Sequence, residues 1–120
     1  MAEFGFIILP VADPIASAAF YERLLGRPPV EAVPTFAMLP LRDGVMLGLW
    51  RRDGMVPSVP AAAGGSEVAF IDGDPDATHA AWVALGVTIA QAPADMDFGR
   101  TFTALDPDGN RLRVFRPGGA

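Results

Sequence analysis

Residues 11–26 read VADPIASAAFYERLLG and residues 71–86 read IDGDPDATHAAWVALG, two stretches that share one grammar. In the first, Asp13 is an N-cap candidate with Pro14 at the first helical position, and apolar residues recur at Ala16, Phe20 and Leu24 before Gly26. In the second, Asp74-Pro75 repeats the cap, and an apolar pattern over Ala77–Leu85 stops at Gly86. Each stretch predicts an amphipathic helix with its own start and stop.

Outward from each helix the same order of elements returns. An apolar, β-branched run over residues 4–12 predicts a strand before the first helix, and Val30–Val33, Phe36–Leu41 and Val45–Trp50 predict three strands after it. Val68–Ile71 precedes the second helix, and Val87–Ala90, Thr101–Leu105 and Arg111–Phe115 follow it. Asp43-Gly44 and Asp108-Gly109 mark the corresponding hairpins. The second copy carries about five extra residues, assigned to Pro93–Asp97. The chain therefore reads as an α+β fold of tandem βαβββ modules: residues 4–50, a Pro/Ala/Gly-rich connector over 51–66, and residues 67–116, within one domain spanning 1–120.

One helix covers one face of a four-stranded sheet, so two modules are expected to curve their uncovered faces around a shared cleft. Alternation sends Ile7, Leu9, Val11, Leu112 and Val114 to the helix side. It sends Phe6, Ile8, Pro10, Arg111, Arg113 and Phe115 to the cleft.

Composition removes whole classes of function. Fourteen carboxylates face nine cations, all of them Arg, for a net charge of −5. No basic run is available to neutralise phosphates, so neither nucleic acid nor an anionic membrane is an expected partner. The absence of Cys excludes disulfides, thiolate nucleophiles and Cys-ligated zinc, and the single His79 excludes a multi-His metal cage. The run from Phe4 to Ala12 follows Glu3 and contains Pro10, so it is neither a signal peptide nor a spanning helix, and a cytoplasmic location is expected.

The tandem order, Val11-x-Asp13-Pro14, Phe20-Tyr21-x-x-Leu24-Leu25-Gly26, Phe98-Gly99-Arg100 and above all Asp106-Pro107-Asp108-Gly109-Asn110 resemble the vicinal oxygen chelate superfamily. That superfamily includes glyoxalase I, extradiol dioxygenases, and fosfomycin- and bleomycin-resistance proteins. The resemblance covers nearly the whole chain. It implies a divalent-metal site drawn from the first and last strand of each module, at positions that here read Phe6, Gly48, Glu67 and Arg113. Only Glu67 can bind a hard cation, and Arg113 repels one, whereas an enzyme site needs about three protein ligands. The expectation is therefore no metal, no cofactor and no catalytic residue. The aromatic and Arg segments are closer to the metal-free phenazine- and bleomycin-resistance members, which bind without chemistry.

Glu67 and Arg113 admit two readings, an Arg–carboxylate pair across the cleft that fills the vacated site, or charge-assisted anchors for a polar ligand edge. Trp50 shares a strand face with Met46 and Gly48, and the missing side chain at Gly48 could open a slot for a flat molecule beside the indole. Otherwise Trp50 packs at a dimer contact and Gly48 relieves crowding. Phe6, Phe36, Met38, Met46 and Phe115 are further expected walls, and Arg100 is either an anion contact or a tie for its own loop. His79 is expected to be a solvated helix residue, Trp82 a core or interface residue, and Arg51-Arg52-Asp53 a solvated turn.

The expected function is sequestration of a small planar aromatic compound by a metal-free, resistance-type binding protein. The alternatives are a superfamily enzyme (lyase, isomerase or dioxygenase) with an atypical site or with Glu67 as a lone base, and a partner-regulating module with a vestigial cleft. The resemblance and the apolar surface of so short a chain imply a homodimer.

Overall fold

A computed structural model describes residues 1–60 and 63–118. Residues 61 and 62, within the expected connector, and the last two residues lie outside the described part. In chain order the elements are β1 (Phe6–Val11), α1 (Pro14–Leu25), β2 (Glu31–Val33), β3 (Phe36–Arg42), β4 (Val45–Arg51), a 3-10 turn (Arg52–Gly54), β5 (Glu67–Ile71), α2 (Pro75–Ala84), β6 (Thr88–Met96), β7 (Gly99–Leu105) and β8 (Arg111–Pro117). They form two compact units, Met1–Ala61 and Ala62–Ala120, each a βαβββ module. The sheets have matching strand order, β1-β4-β3-β2 and β5-β8-β7-β6, with one parallel pair in each. This is the α+β architecture that the repeated grammar predicts.

Both helices begin where Asp-Pro predicts. The Asp13 carboxylate accepts from the Ile15 and Ala16 N–H groups at 3.1 and 3.2 Å, and Asp74 accepts from Ala77 N–H at 3.1 Å. Each cap supplies an acceptor to N–H groups that have no helical partner, a contribution of about 1 kcal/mol. The helix α1 ends at Gly26, whose φ of 70° lets its N–H return to the Glu22 carbonyl at 2.8 Å.

In the first unit Leu9, Val11, Ala37, Leu39, Leu47 and Leu49 are buried with Phe20 and Tyr21 of α1. In the second, Val68, Phe102, Ala104, Leu112 and Val114 are buried with Trp82 of α2. Of the strand positions that alternation sends to the helix side, Leu9, Val11, Leu112 and Val114 are buried and Ile7 is half-buried. Each fully buried large aliphatic or aromatic side chain contributes roughly 1.5–3 kcal/mol. The turn joining β7 to β8 is built by Asp106, whose carboxylate accepts from the Asp108 and Asn110 N–H groups and from the Asn110 amide at 2.8–2.9 Å. The Asp-Pro-Asp-Gly-Asn motif thus has a structural role.

The extra residues of the second module extend its hairpin as paired strand. Val87–Ala90 is too short a reading, because β6 runs to Met96 with Ala94 opposite Thr101, Asp95 opposite Arg100 and Met96 opposite Gly99. Of two register shifts along β6, the one between Gln91 and Ala94 spans Pro93, which cannot donate to a ladder. At the start of β7, Gly99 has φ 140°, and a Cβ there would lie 2.0 Å from the Arg116 carbonyl oxygen. Only glycine lets the β7 and β8 backbones approach so closely. Among the described residues, no helix is long and apolar enough to cross a membrane.

Candidate functional site

The uncovered face of each sheet carries the residues of interest, and the two faces differ in chemistry. In the first module the β1–β4 register sets Phe6 beside Met46 and Ile8 beside Gly48, while β3 sets Met38 beside Gly48 and Phe36 beside Trp50. The Phe36 and Trp50 rings meet edge to face at 6.5 Å between centroids. Phe6 and Ile8 stay 44% and 43% exposed. Phe6, Phe36, Met38, Met46, Gly48 and Trp50 are thus brought together in one apolar patch.

Gly48 does not open a slot there. It is buried, and a Cβ at this position would come within 3.1 Å of Phe36 Cζ and 3.2 Å of Ile8 Cγ1. The missing side chain leaves room for the Phe36 ring, which is the crowding-relief reading.

In the second module the face is polar. Glu67 on β5 is held by two guanidinium groups of β8: Arg113 Nε donates to Oε2 at 2.6 Å and Nη2 to Oε1 at 3.0 Å, while Arg111 Nη2 lies 2.8 Å from Oε1. Arg113 Nη1 also donates to Gln91 Oε1 and Thr101 Oγ1, both at 3.1 Å. Thr103 donates to the same Gln91 oxygen at 3.2 Å, and the Arg113 guanidinium lies 5.7 Å from the Phe98 ring centroid. Phe98 in turn meets Phe115 edge to face at 5.8 Å.

The Glu67–Arg113 pair, expected across a cleft, therefore lies within one sheet, because β5 and β8 are parallel neighbours and their forked side chains meet diagonally. The hydrogen bond from Arg113 outweighs burial and holds the Glu67 carboxyl below its ordinary range, and the same bond raises Arg113. A carboxylate so stabilised in its charged form is a poor proton acceptor, so Glu67 does not suit the part of a lone general base.

Arg100 is not brought to this group. It shares the parity of Phe102 along β7, on the helix side, and its guanidinium forks onto Asp76 of α2 at 2.9 and 3.0 Å, with Asp95 at 3.4 Å. That hydrogen bonding lowers the Asp76 carboxyl and raises Arg100. Arg100 ties the β6–β7 hairpin to the start of α2, which is the loop-anchoring reading.

His79 departs from the solvated helix reading. It is half-buried, and its ring packs edge-on against Phe102 at 5.3 Å, as does the core residue Trp82 at 5.4 Å. Of the Arg51-Arg52-Asp53 turn, Arg51 and Asp53 are exposed and 4.0 Å apart, while Arg52 is half-buried with Nη2 at 3.5 Å from the Val59 carbonyl.

The four positions that the resemblance assigns to a metal do not suit one. Phe6 and Gly48 offer no donor atom, Arg113 is cationic, and both Glu67 oxygens are occupied by guanidinium groups. Among the described residues no group of three or more His, Cys, Asp or Glu side chains is arranged to hold a metal ion.

The family model for the Glyoxalase/Bleomycin resistance protein/Dioxygenase superfamily matches residues 3–114. The chain belongs to that superfamily. Among solved structures, a protein from Agrobacterium tumefaciens determined by solution NMR is 48% identical, with a TM-score of 0.87, over 99% of this chain and 100% of that one. A glyoxalase-related enzyme from Fulvimarina pelagi is 22% identical with a TM-score of 0.83, over 100% of this chain and 94% of that one. A lactoylglutathione lyase from Agrobacterium tumefaciens is 18% identical with a TM-score of 0.75, over 97% and 94%. These two share the superfamily fold. No curated protein matches the chain.

Within this superfamily member, sequence reasoning missed Gln91, Phe98, Thr101 and Thr103 as neighbours in the polar group, and it placed Arg111 on that face without giving it a site role. Arg111 carried a signal, since it stands two residues before Arg113 and alternation puts both on one face. Gln91 carried none, because the irregular register of β6 breaks the period from which its face could be read.

Proposed function

We propose that the protein binds a small planar aromatic compound reversibly, without metal and without turnover, against the apolar uncovered face of the first module. The observation that carries this reading is the composition of that face. Phe6, Ile8, Phe36, Met38, Met46 and Trp50 present no polar side-chain group other than the indole N–H, yet Phe6 and Ile8 keep more than two-fifths of their surface in water. Apolar surface left uncovered in this way marks a place where a ligand gains by burial. Edge-to-face packing of Phe36 on Trp50 holds the indole for stacking with a flat ring system. The occupied Glu67 supports binding over chemistry, since it presents neither a free base nor a metal ligand. Such binding would sequester the compound, the mode of the resistance proteins that the sequence resembles.

Tryptophan fluorescence titration with phenazine, flavin-like and other fused-ring compounds tests the reading. Trp82 is buried on the helix side of the second module, so a ligand-dependent change reports on Trp50. Stacking contributes about 0.5–1.5 kcal/mol beyond area burial, so Trp50→Ala should weaken binding several-fold. Binding unchanged in Trp50→Ala removes the indole from the site, and no response to any fused-ring class removes sequestration.

A further inference from the structure

On the uncovered face of the second sheet two guanidinium groups share one carboxylate, and they share it unequally. Arg113 commits Nε and Nη2 to Glu67 as a fork, and Nη1 to Gln91 and Thr101. Its side chain is 17% exposed. Arg111 Nη2 lies 2.8 Å from Glu67 Oε1, its Nε is buried without an acceptor among the described residues, and its side chain is 42% exposed. The triad keeps one surplus positive charge in a chain whose net charge is −5.

We propose that Arg111 is the receiving arm of a site for a small-molecule carboxylate, with Arg113 and Glu67 as its fixed base. When Arg111 turns away from Glu67, the carboxylate keeps its bidentate partner in Arg113, so no charge is stranded by the movement. Folded proteins avoid a buried N–H without an acceptor, and a carboxylate taken along the Nε edge of Arg111 supplies one. The planar fork of a guanidinium matches the two oxygens of a carboxylate, and a single surplus charge suits a monoanion better than a dianionic phosphate. Glu67 acts as a built-in competitor, holding Arg111 until the external acid displaces it. This site does not rest on the apolar face of the first module.

Titration of the full chain with sodium benzoate at low ionic strength, followed through the Arg111 Nε–H signal by NMR, is the test. A saturable shift with benzoate and none with the neutral isostere benzamide is expected. Arg111→Gln should weaken benzoate at least tenfold with an unchanged Tm, and Arg111→Lys, which keeps the charge and loses the fork, should weaken it several-fold. Glu67→Gln should tighten it, because the competing carboxylate is gone. Trp50→Ala should leave it unaltered, which separates this site from the apolar face. Equal affinity for benzamide, or benzoate affinity untouched by Arg111→Gln, overturns the proposal. Tighter binding of inorganic phosphate than of benzoate overturns the carboxylate class.

Discussion

The two modules follow one backbone plan, and their uncovered faces carry opposite chemistry at matching register positions. Phe6 lies opposite Met46 in the first sheet, where Glu67 lies opposite Arg111 in the second. Gly48 has Met38 across from it on β3, and Arg113 has Thr103 across from it on β7. Phe36 and Trp50 are matched by Thr101 and Phe115. A face of hydrocarbon and sulfur thus corresponds to a face of ion pairs and hydroxyls. The covered faces, by contrast, stay apolar in both modules and differ in how the volume is divided. The small pair Ala18 and Ala37 in the first module stands where His79 and Phe102 stand in the second. Burial against a helix demands apolar bulk somewhere in the layer and leaves its placement free, whereas a face without a helix is under no such demand.

The largest effect should come from the covered face. Phe102 is fully buried, with His79 and Trp82 edge-on against it, so Phe102→Ala should cost about 3–5 kcal/mol in urea unfolding. A loss below about 1 kcal/mol would show that His79 and Trp82 collapse into the space, and that the second module packs as the first does, around small residues.

Breaking the polar face at one point should cost less. Glu67→Gln leaves two guanidinium groups without their counter-charge in a half-buried setting, and about 1–2 kcal/mol of stability should be lost at neutral pH. The Glu67 pKa is lowered from 4.5, so its contribution is complete above about pH 4.5 and is lost as pH falls through the lowered folded value. The gap between wild type and Glu67→Gln, measured as Tm against pH, should close from that point downward.

Converting the whole face sharpens the contrast. The triple variant Glu67→Met, Arg111→Met, Arg113→Met gives the second sheet a face like the first, and its stability should lie within about 1 kcal/mol of wild type or above it. A triple variant less stable than Glu67→Gln would mean that the ion pairs hold the sheet together. The smallest effect is expected on the apolar face. Gly48→Ala pushes a Cβ toward Phe36, whose half-buried ring can tilt, so the loss should stay under about 1 kcal/mol while the near-UV circular dichroism of the Phe36–Trp50 pair changes.

Local chemistry carried most of the fold into the sequence. Asp13-Pro14 and Asp74-Pro75 announce helix starts because their side chains and rings act on their own backbone, and Leu9, Val11, Leu112 and Val114 declare the covered face because strand side chains alternate. The same alternation put Phe6, Trp50 and Arg113 on uncovered faces, and the superfamily resemblance pointed to Glu67. Only the tertiary structure decided which partner each of these side chains takes. The Phe36 ring over Gly48, the fork of Arg113 on Glu67 and the reach of Arg100 to Asp76 all join residues on different strands or helices, through long side chains whose rotamers no sequence period encodes. The length of β6 was hidden for a related reason, since its register shifts replace a period of two with an irregular one that pairing with β7 alone defines.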